Sequence, residues 1–338
     1  MAASGRRAGD RALQGAMPRV AWGLLMLCFV GTSASPAWAS ACVDNGADGN
    51  WGTAGTWTSC GGSIPGSDDT AAINTDLVVI TQNVSATVQS LTIGDGVGYG
   101  SRLVINSGIT LTLSNSGTPL TLGADADLGV TTFSADAAST VTYTATANTN
   151  VAAVTYGNLT IAGTTAKIFT ALGDMTVAGA LTITTGTFKS AASGNVYVTG
   201  TWSNSDAFTH NSGTVIFQGG AQNVTSGGSS FNNVQRNGPA NTAIHPVDAF
   251  TVAGTFTQDS GNTNMNTNDP TITVTGLATI NAGTLTCSAN TTNGASDATF
   301  NGGLTVSGGT VTGNESEIDI NGAFILSSGT FTASSDDS

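Results

Sequence analysis

The sequence predicts an all-β protein: a right-handed parallel β-solenoid (β-helix) with coils of about 20–26 residues, preceded by an N-terminal signal peptide. Three observations predict it. The composition is polar and nearly uncharged, with 55 Thr and 45 Gly in 338 residues and only 9% charged residues, against roughly 25% in an ordinary soluble domain. Amphipathic helices would lack the Leu, Glu, Lys and Arg their faces need. Second, a glycine frame recurs at intervals of 21, 22, 26 and 20 residues, apart from one gap of 54 that can hold two or more units. Third, apolar side chains alternate with Thr and Ala inside each interval, the period of a strand with one buried face. Disorder does not fit, because 39% of the residues are hydrophobic and no long block of like charge keeps the chain expanded.

Residues 1–39 read as a targeting segment. Arg6, Arg7, Arg11 and Arg19 form a positive region, residues 24–30 (LLMLCFV) an apolar stretch, and Ala37-Trp38-Ala39 a small-x-small cleavage site. The apolar stretch is interrupted by Gly31, Thr32, Ser33 and Pro36, too soon for a spanning helix of about 20 residues. Sec-type export follows; Arg6-Arg7 lies too far upstream for a twin-arginine signal, and Met17 opens a signal of more ordinary length. Past residue 39 only Arg102, Lys167, Lys189 and Arg236 are basic, against 20 acidic residues, a formal charge of −16. Nucleic acid is excluded as a partner, since phosphate backbones are bound by clustered cations. No later run is long and apolar enough for a transmembrane segment.

Residues 40–75 read as an N-terminal cap and 76–338 as the repeats. Cys42 and Cys60 enclose a short loop in a chain bound for an oxidising compartment, which predicts a structural disulfide, worth roughly 3 kcal/mol for such a loop. Cys287, in Leu285-Thr286-Cys287, shares a strand face with Leu285 and reads as a small buried apolar residue.

The repeats align as MTVAGALTITTGTF (175–188), ITVTGLATINAGTLT (272–286), TFNGGLTVSGGTV (299–311) and IDINGAFILSSGTF (318–331). Their first glycine recurs at Gly179, Gly200, Gly254, Gly276, Gly302 and Gly322. The parity of the inward side chains then flips: Ile183 to Phe188, Ile280 to Leu285, Val306 to Val311 and Leu326 to Phe331 are steps of five. Gly186, Gly283, Gly309 and Gly329 lie inside those steps, where a bend is required. Each unit is thus strand, corner, strand. In this frame Phe324 points inward and Thr182 outward. A longer duplication overlies the coils: STVTY (139–143) with YGNLTIAG (156–163) returns as GTVIF (213–217) with FNNVQRNG (231–238). A sandwich array would need hairpin signals, and an outer-membrane barrel longer strands with aromatic girdles; aromatics are only 6%.

Trp51 and Trp57, Cys60, and then IPGSDDTAAI (64–73) leading into SLTIGDG and GNLTIAG coils resemble the N-terminal region of secreted β-solenoid, adhesin-like repeat proteins of Gram-negative bacteria. That class includes autotransporter passengers and haemagglutinin-like repeats. The resemblance spans nearly all of residues 42–338, and its motifs are structural. It implies an exported, extracellular or outer-surface protein with a structural or adhesive role. The partners it implies are a cell-surface glycan, a matrix, or further copies of the chain. The NPNG-type motif of the two-partner secretion domain is missing, and the tail FTASSDDS reads either as a small polar cap or as the end of a fragment.

The chemistry-bearing residues are few. His210 and His245 read as turn residues, and G-x-S-x-G, H-E-x-x-H and C-x-x-C do not occur. GDGVGYG (94–100) lacks dinucleotide-fingerprint spacing and reads as a corner loop; DNGADGN (44–50) lacks the far carboxylate of a calcium loop. Glu315, Glu317 and Asp319 alternate, so one strand face would carry three carboxylates; they are the candidate set for a hard cation, against the plainer reading of a solvated acidic ladder. No catalytic residue and no cofactor is assigned. A non-catalytic surface rod is the expected function. Two alternatives stay open: a β-helix polysaccharide lyase or hydrolase, which would need a positioned base or a carboxylate pair, and an ice or flat-surface binder using outward Thr.

Overall fold

The computed structural model describes residues 39–94, 99–123, 133–289, 298–315 and 317–333. The signal segment, the centre of the GDGVGYG loop and the last five residues of the tail lie outside them. The described chain is a right-handed parallel β-solenoid of about 11 turns, with coils of about 22 residues and almost no helix. Three strand ladders form its sides. The first contains Ala41–Asp44, Thr70–Ile73 and Ser90–Ile93, and returns as Phe250–Val252, Ile272–Val274, Ala298–Phe300 and Ile318–Ile320. The second runs from Met175–Val177 through Asn195–Val198, Thr214–Phe217, Asn233–Asn237, Phe256–Ser260 and Ala278–Ile280 into Leu304–Thr312. The third contains Ala86–Val88, Thr110–Leu113, Thr140–Tyr143, Asn158–Ala162 and Leu181–Thr185. It does not close on itself: Ala86–Val88 and Phe324–Thr332 stand at opposite ends of the stack.

Alternation builds the core. Met175, Val196, Val215, Val234, Phe256, Ala278, Leu304 and Phe324 succeed one another in one inward column, and all but the last are buried. Coils of about 22 residues match the predicted length, and single coils depart from it. Successive rungs are 18 residues apart at Thr140 and Asn158 but 29 at Ala41 and Thr70 and 30 at Leu103 and Phe133. The extra residues lie between rungs, where an insertion leaves the ladder pairing untouched.

The glycines of the repeat frame are explained by close approach. A Cβ on Gly200 would lie 2.4 Å from the backbone of Gly179, and one on Gly276 2.4 Å from that of Gly254; Gly302 meets Gly276 in the same way. Stacked coils leave no room there for a side chain. Gly186, Gly283 and Gly329 instead have φ of 95°, 68° and 88°, the left-handed backbone that turns the next side chain inward again. Ile183 and Phe188 are accordingly both buried.

MTV (175–177) and ITV (272–274) hold the same place in the sequence frame, yet they lie on different faces: Met175 leads up its column to Ala278 and Leu304, while Ile272 pairs with Phe250 and Ala298. The longer duplication is displaced likewise, with Val141 on the third ladder and Val215 on the second. The frame therefore rotates by one face between residues 204 and 250. All three faces read apolar-x-apolar with glycine at the corners, so the pattern carries no label for the face.

Aromatic side chains concentrate at this junction. Phe188, Phe208, Phe231 and Phe250 stack at centroid separations of 6.0, 5.8 and 5.4 Å. Trp202 meets Phe208 and Phe231 edge-on at 4.9 and 5.3 Å, the geometry that adds to area burial for aromatic pairs.

The two ends differ. At the N-terminal end Trp57–Thr58 pairs antiparallel with Ala41–Asp44. The Trp51 and Trp57 rings meet edge-on at 4.7 Å, and the Trp57 indole N–H donates to the Trp51 carbonyl at 3.0 Å. The expected Cys42–Cys60 disulfide is formed, with Cα atoms 4.8 Å apart, and Cys287 is buried apart from it. At the other end Phe324, Ile325 and Leu326 are about half exposed. Phe324 keeps its inward register opposite Leu304, but among the described residues no coil lies above it. The expectation that Phe324 is a core residue is therefore wrong: parity gives direction, and burial needs a further rung.

Candidate functional site

The acidic residues prove to be structural to a degree the composition hides. Eight aspartates hydrogen-bond a neighbouring coil. Asp248 accepts the backbone N–H groups of Ser226 and Gly227 at 2.7 Å each; Asp174 accepts that of Asn195, Asp206 that of Gly186 and Asp48 that of Val79. Asp69 takes the N–H of Ser40, Asp259 bridges the side-chain amides of Gln235 and Asn281, and Asp269 takes the N–H of Ala289. At a corner the backbone leaves the ladder, and a carboxylate supplies the acceptor its N–H groups would otherwise lack.

Asp44 is the most enclosed of these. Burial alone would raise its pKa, but the Thr75 hydroxyl and the backbone N–H groups of Asn74, Gly46 and Thr75 outweigh that and hold it below the ordinary value. A depressed carboxyl pKa contributes stability above the unfolded value of about 3.9 and loses it as pH falls through the folded value. The N-terminal cap is therefore expected to loosen below about pH 4. In thermal melts from pH 3 to 7, Asp44→Asn should cost about 1–3 kcal/mol at neutral pH, through the N–H left without an acceptor, and should flatten the acid limb. An unchanged acid limb would refute the assignment.

Glu315, Glu317 and Asp319 do not form the expected face. The preceding strand ends at Thr312 and the next spans Ile318–Ile320, so only Asp319 lies in a strand, opposite Thr299. Glu315 and Glu317 fall in the connection between them, and no metal-sized cluster of His, Cys, Asp or Glu occurs among the described residues. His210 sits in a turn as expected, with Nδ1 accepting the Ser212 N–H at 3.2 Å. His245 does not: it lies in the Ala243–Pro246 strand, with Nδ1 3.0 Å from the Thr267 hydroxyl.

Two buried polar centres escaped the sequence reading. Tyr143 donates to the Tyr156 hydroxyl at 2.9 Å, and Tyr156 donates to the Ala152 carbonyl at 2.8 Å. Burial pushes Tyr143 up to about 12 and Tyr156 well above its usual 10, so neither exchanges protons near neutrality. The second centre is Arg236, fully enclosed where the frame rotates. Its guanidinium donates to the carbonyls of Phe217, Gly219, Thr242 and Asn262 at 2.8–3.3 Å and to the Thr242 hydroxyl at 3.0 Å. Burial lowers its pKa to about 10, which leaves it charged at pH 7. Gly238 and Gly261 make the space: a Cβ on either would come within 1.9 and 2.7 Å of its terminal nitrogens. The signal was present in VQRN (234–237), where Arg236 occupies an inward parity position beside Val234.

The outward surface is where repetition is greatest. On the third face Thr87, Thr112, Thr142, Thr160, Thr182, Ser203 and Thr225 occupy one column, seven hydroxyl-bearing positions on consecutive rungs about 4.8 Å apart. A second column, Thr284, Thr310 and Thr330, and a third, Thr286, Thr312 and Thr332, run side by side at the C-terminal end. No family model matches the chain, and no curated protein or solved structure is detectably similar to it. Such columns offer donors and acceptors at a fixed spacing along the axis, an arrangement suited to contact with an equally periodic partner rather than to proton transfer.

Proposed function

We propose that the chain is an exported, non-catalytic structural or adhesive rod of the extracellular space or outer surface of a Gram-negative bacterium, contacting a glycan or matrix through its outward hydroxyl columns. The observation that carries this reading is the unbroken column from Thr87 to Thr225. Each hydroxyl contributes little, but seven in register act together once one end is bound. The Cys42–Cys60 disulfide supports an oxidising compartment. The aspartates committed to corners argue against their service as general acids, a role that needs a group able to move its proton to substrate.

Retention on insoluble cellulose, chitin and cross-linked pectin or alginate tests the reading. The chain should be retained on at least one of them, and Thr142→Lys/Thr182→Lys should lower retention about tenfold while leaving the circular dichroism spectrum unchanged. No product should be released, with or without calcium. Product release abolished by Asp319→Ala or Glu317→Ala would replace the rod with the lyase or hydrolase reading. Inhibition of ice recrystallisation without glycan retention would assign the hydroxyl columns to ice.

A further inference from the structure

On the second face the outward column runs Thr176, Tyr197, Ile216, Gln235, Thr257 and Thr279. Three consecutive rungs interrupt its hydroxyls. Among the described residues no other strand turns an aromatic ring outward as Asn195–Val198 turns Tyr197. Ile216, on the next rung, is outward by the same register yet only 6% exposed, so its neighbours close around it and the ring stands beside an apolar floor. Polar groups flank this strip at both ends. Asn195 donates its side-chain amide to the Tyr197 hydroxyl at 3.4 Å and to the Asp174 carboxylate at 3.1 Å. At the other end Arg236 faces Gln258 while Asn237 faces Ser260, which makes Asp259 the extra residue of a β-bulge, a device that re-aims the side chain it carries. Asp259 receives the Gln235 amide at 2.6 Å and the Asn281 amide at 2.7 Å. Each carboxylate thus fixes an outward amide in place beside the strip, which is preorganisation for contact.

We propose that Tyr197, Ile216 and Gln235 form a stacking subsite for a neutral glycan. The subsite rests on the glycan-contact reading and places a second contact on a face that the column from Thr87 to Thr225 does not use. Chemistry selects the occupant. A pyranose ring has an apolar C–H face and a rim of hydroxyls; the Tyr197 plane with Ile216 beside it meets the first, and the fixed amides and carboxylates meet the second. Apolar lining with a few placed polar groups is the composition that small-ligand sites share, and Tyr brings a large amphipathic contact area with little rotamer freedom to lose. Charge decides against an acidic glycan. Asp174 and Asp259 flank the strip, Arg236 on the neighbouring position is enclosed, and Arg102, Lys167 and Lys189 lie on or beside other ladders. From Tyr197 to Gln235 is two rungs, about 10 Å, which gives a short run of sugar rings room to lie along the axis.

Isothermal titration with soluble cellohexaose, chitohexaose and hexagalacturonate tests it. One of the two neutral hexasaccharides should bind, and Tyr197→Ala should weaken it about tenfold, as truncation of a buried aromatic anchor does. Tyr197→Phe, which keeps the ring, should stay within about threefold of wild type, and Thr142→Lys/Thr182→Lys, on another face, should bind the soluble sugar as before. In ring-labelled wild-type chain the Tyr197 signal, assigned from its loss in Tyr197→Phe, should shift as the sugar is added, which reports the contact without relying on the folding of the Ala variant. Undiminished binding by Tyr197→Ala, an unmoved Tyr197 signal, or a preference for hexagalacturonate would each overturn the subsite. Retention on insoluble glycan without binding of either neutral hexasaccharide, or hexasaccharide binding lost only in Thr142→Lys/Thr182→Lys, would also overturn it and leave the hydroxyl-column reading standing.

Discussion

Leu304→Asp is expected to unfold the C-terminal coils, whereas Phe324→Asp, one rung further in the same inward column, should change stability by about 1 kcal/mol at most. Leu304 is fully enclosed between Ala278 below and Phe324 above. A carboxylate there has no cation or N–H to meet it, and an unpaired buried charge costs about 3–5 kcal/mol even after its pKa rises to neutralise it. Phe324 is already 44% exposed, so its replacement loses the contact with Phe331 and part of the cover over Leu304, but leaves the new carboxylate in contact with water. Thr182→Asp, outward between Thr160 and Ser203, should lie within about 0.5 kcal/mol. Each coil touches only its neighbours, so the damage at Leu304 spreads toward residue 332 before it reaches the aromatic junction. Thermal melts read together with amide exchange distinguish the three. Equal losses at positions 304 and 182 would mean that the strand register is wrong.

Arg236→Met is expected to cost about 3–5 kcal/mol, because several buried carbonyls lose a donor at about 1–3 kcal/mol each. Replacing every partner of a buried ion by apolar groups can be neutral, but that route is closed here because the partners are backbone carbonyls. Those of Phe217, Gly219 and Asn262 remain without the guanidinium that now meets them, while that of Thr242 keeps the Asn262 N–H. Arg236→Lys should recover little, since an ammonium offers three donors at a point and cannot span carbonyls from several coils as the planar five-donor fork does. Denaturant titration gives the stability. Wild-type stability in Arg236→Met would show that the carbonyls find other donors and that the guanidinium is dispensable.

Arg236 and Phe324 also mark where sequence reasoning stops. Period-2 alternation assigned Phe324 an inward direction correctly, since direction depends only on strand parity. Whether an inward residue is buried depends on a rung above it, which no local pattern encodes. Arg236 was inward by the same parity, but a lone cation in an apolar position is intelligible only once Gly238 and Gly261 are seen to clear its space and four carbonyls to face it. The carboxylates of residues 315–319 show a related limit: they alternate in the sequence as a strand face would, while the strand begins only at Ile318.

By itself the sequence determined the class of the fold, the stacking of similar coils, the inward and outward parity of the aligned strands, the recurrence of glycine at the corners, and the Cys42–Cys60 pair. These are local properties, written in alternation, in residues that lack a side chain, and in short-range spacing. Only the tertiary structure decided which face each repeat occupies, the one-face rotation between residues 204 and 250, and the assignment of aspartates to corners. Each of these depends on what lies one coil away, some 20 residues distant in the chain but about 4.8 Å in space, and three faces with the same alternation leave that relation unwritten in the sequence.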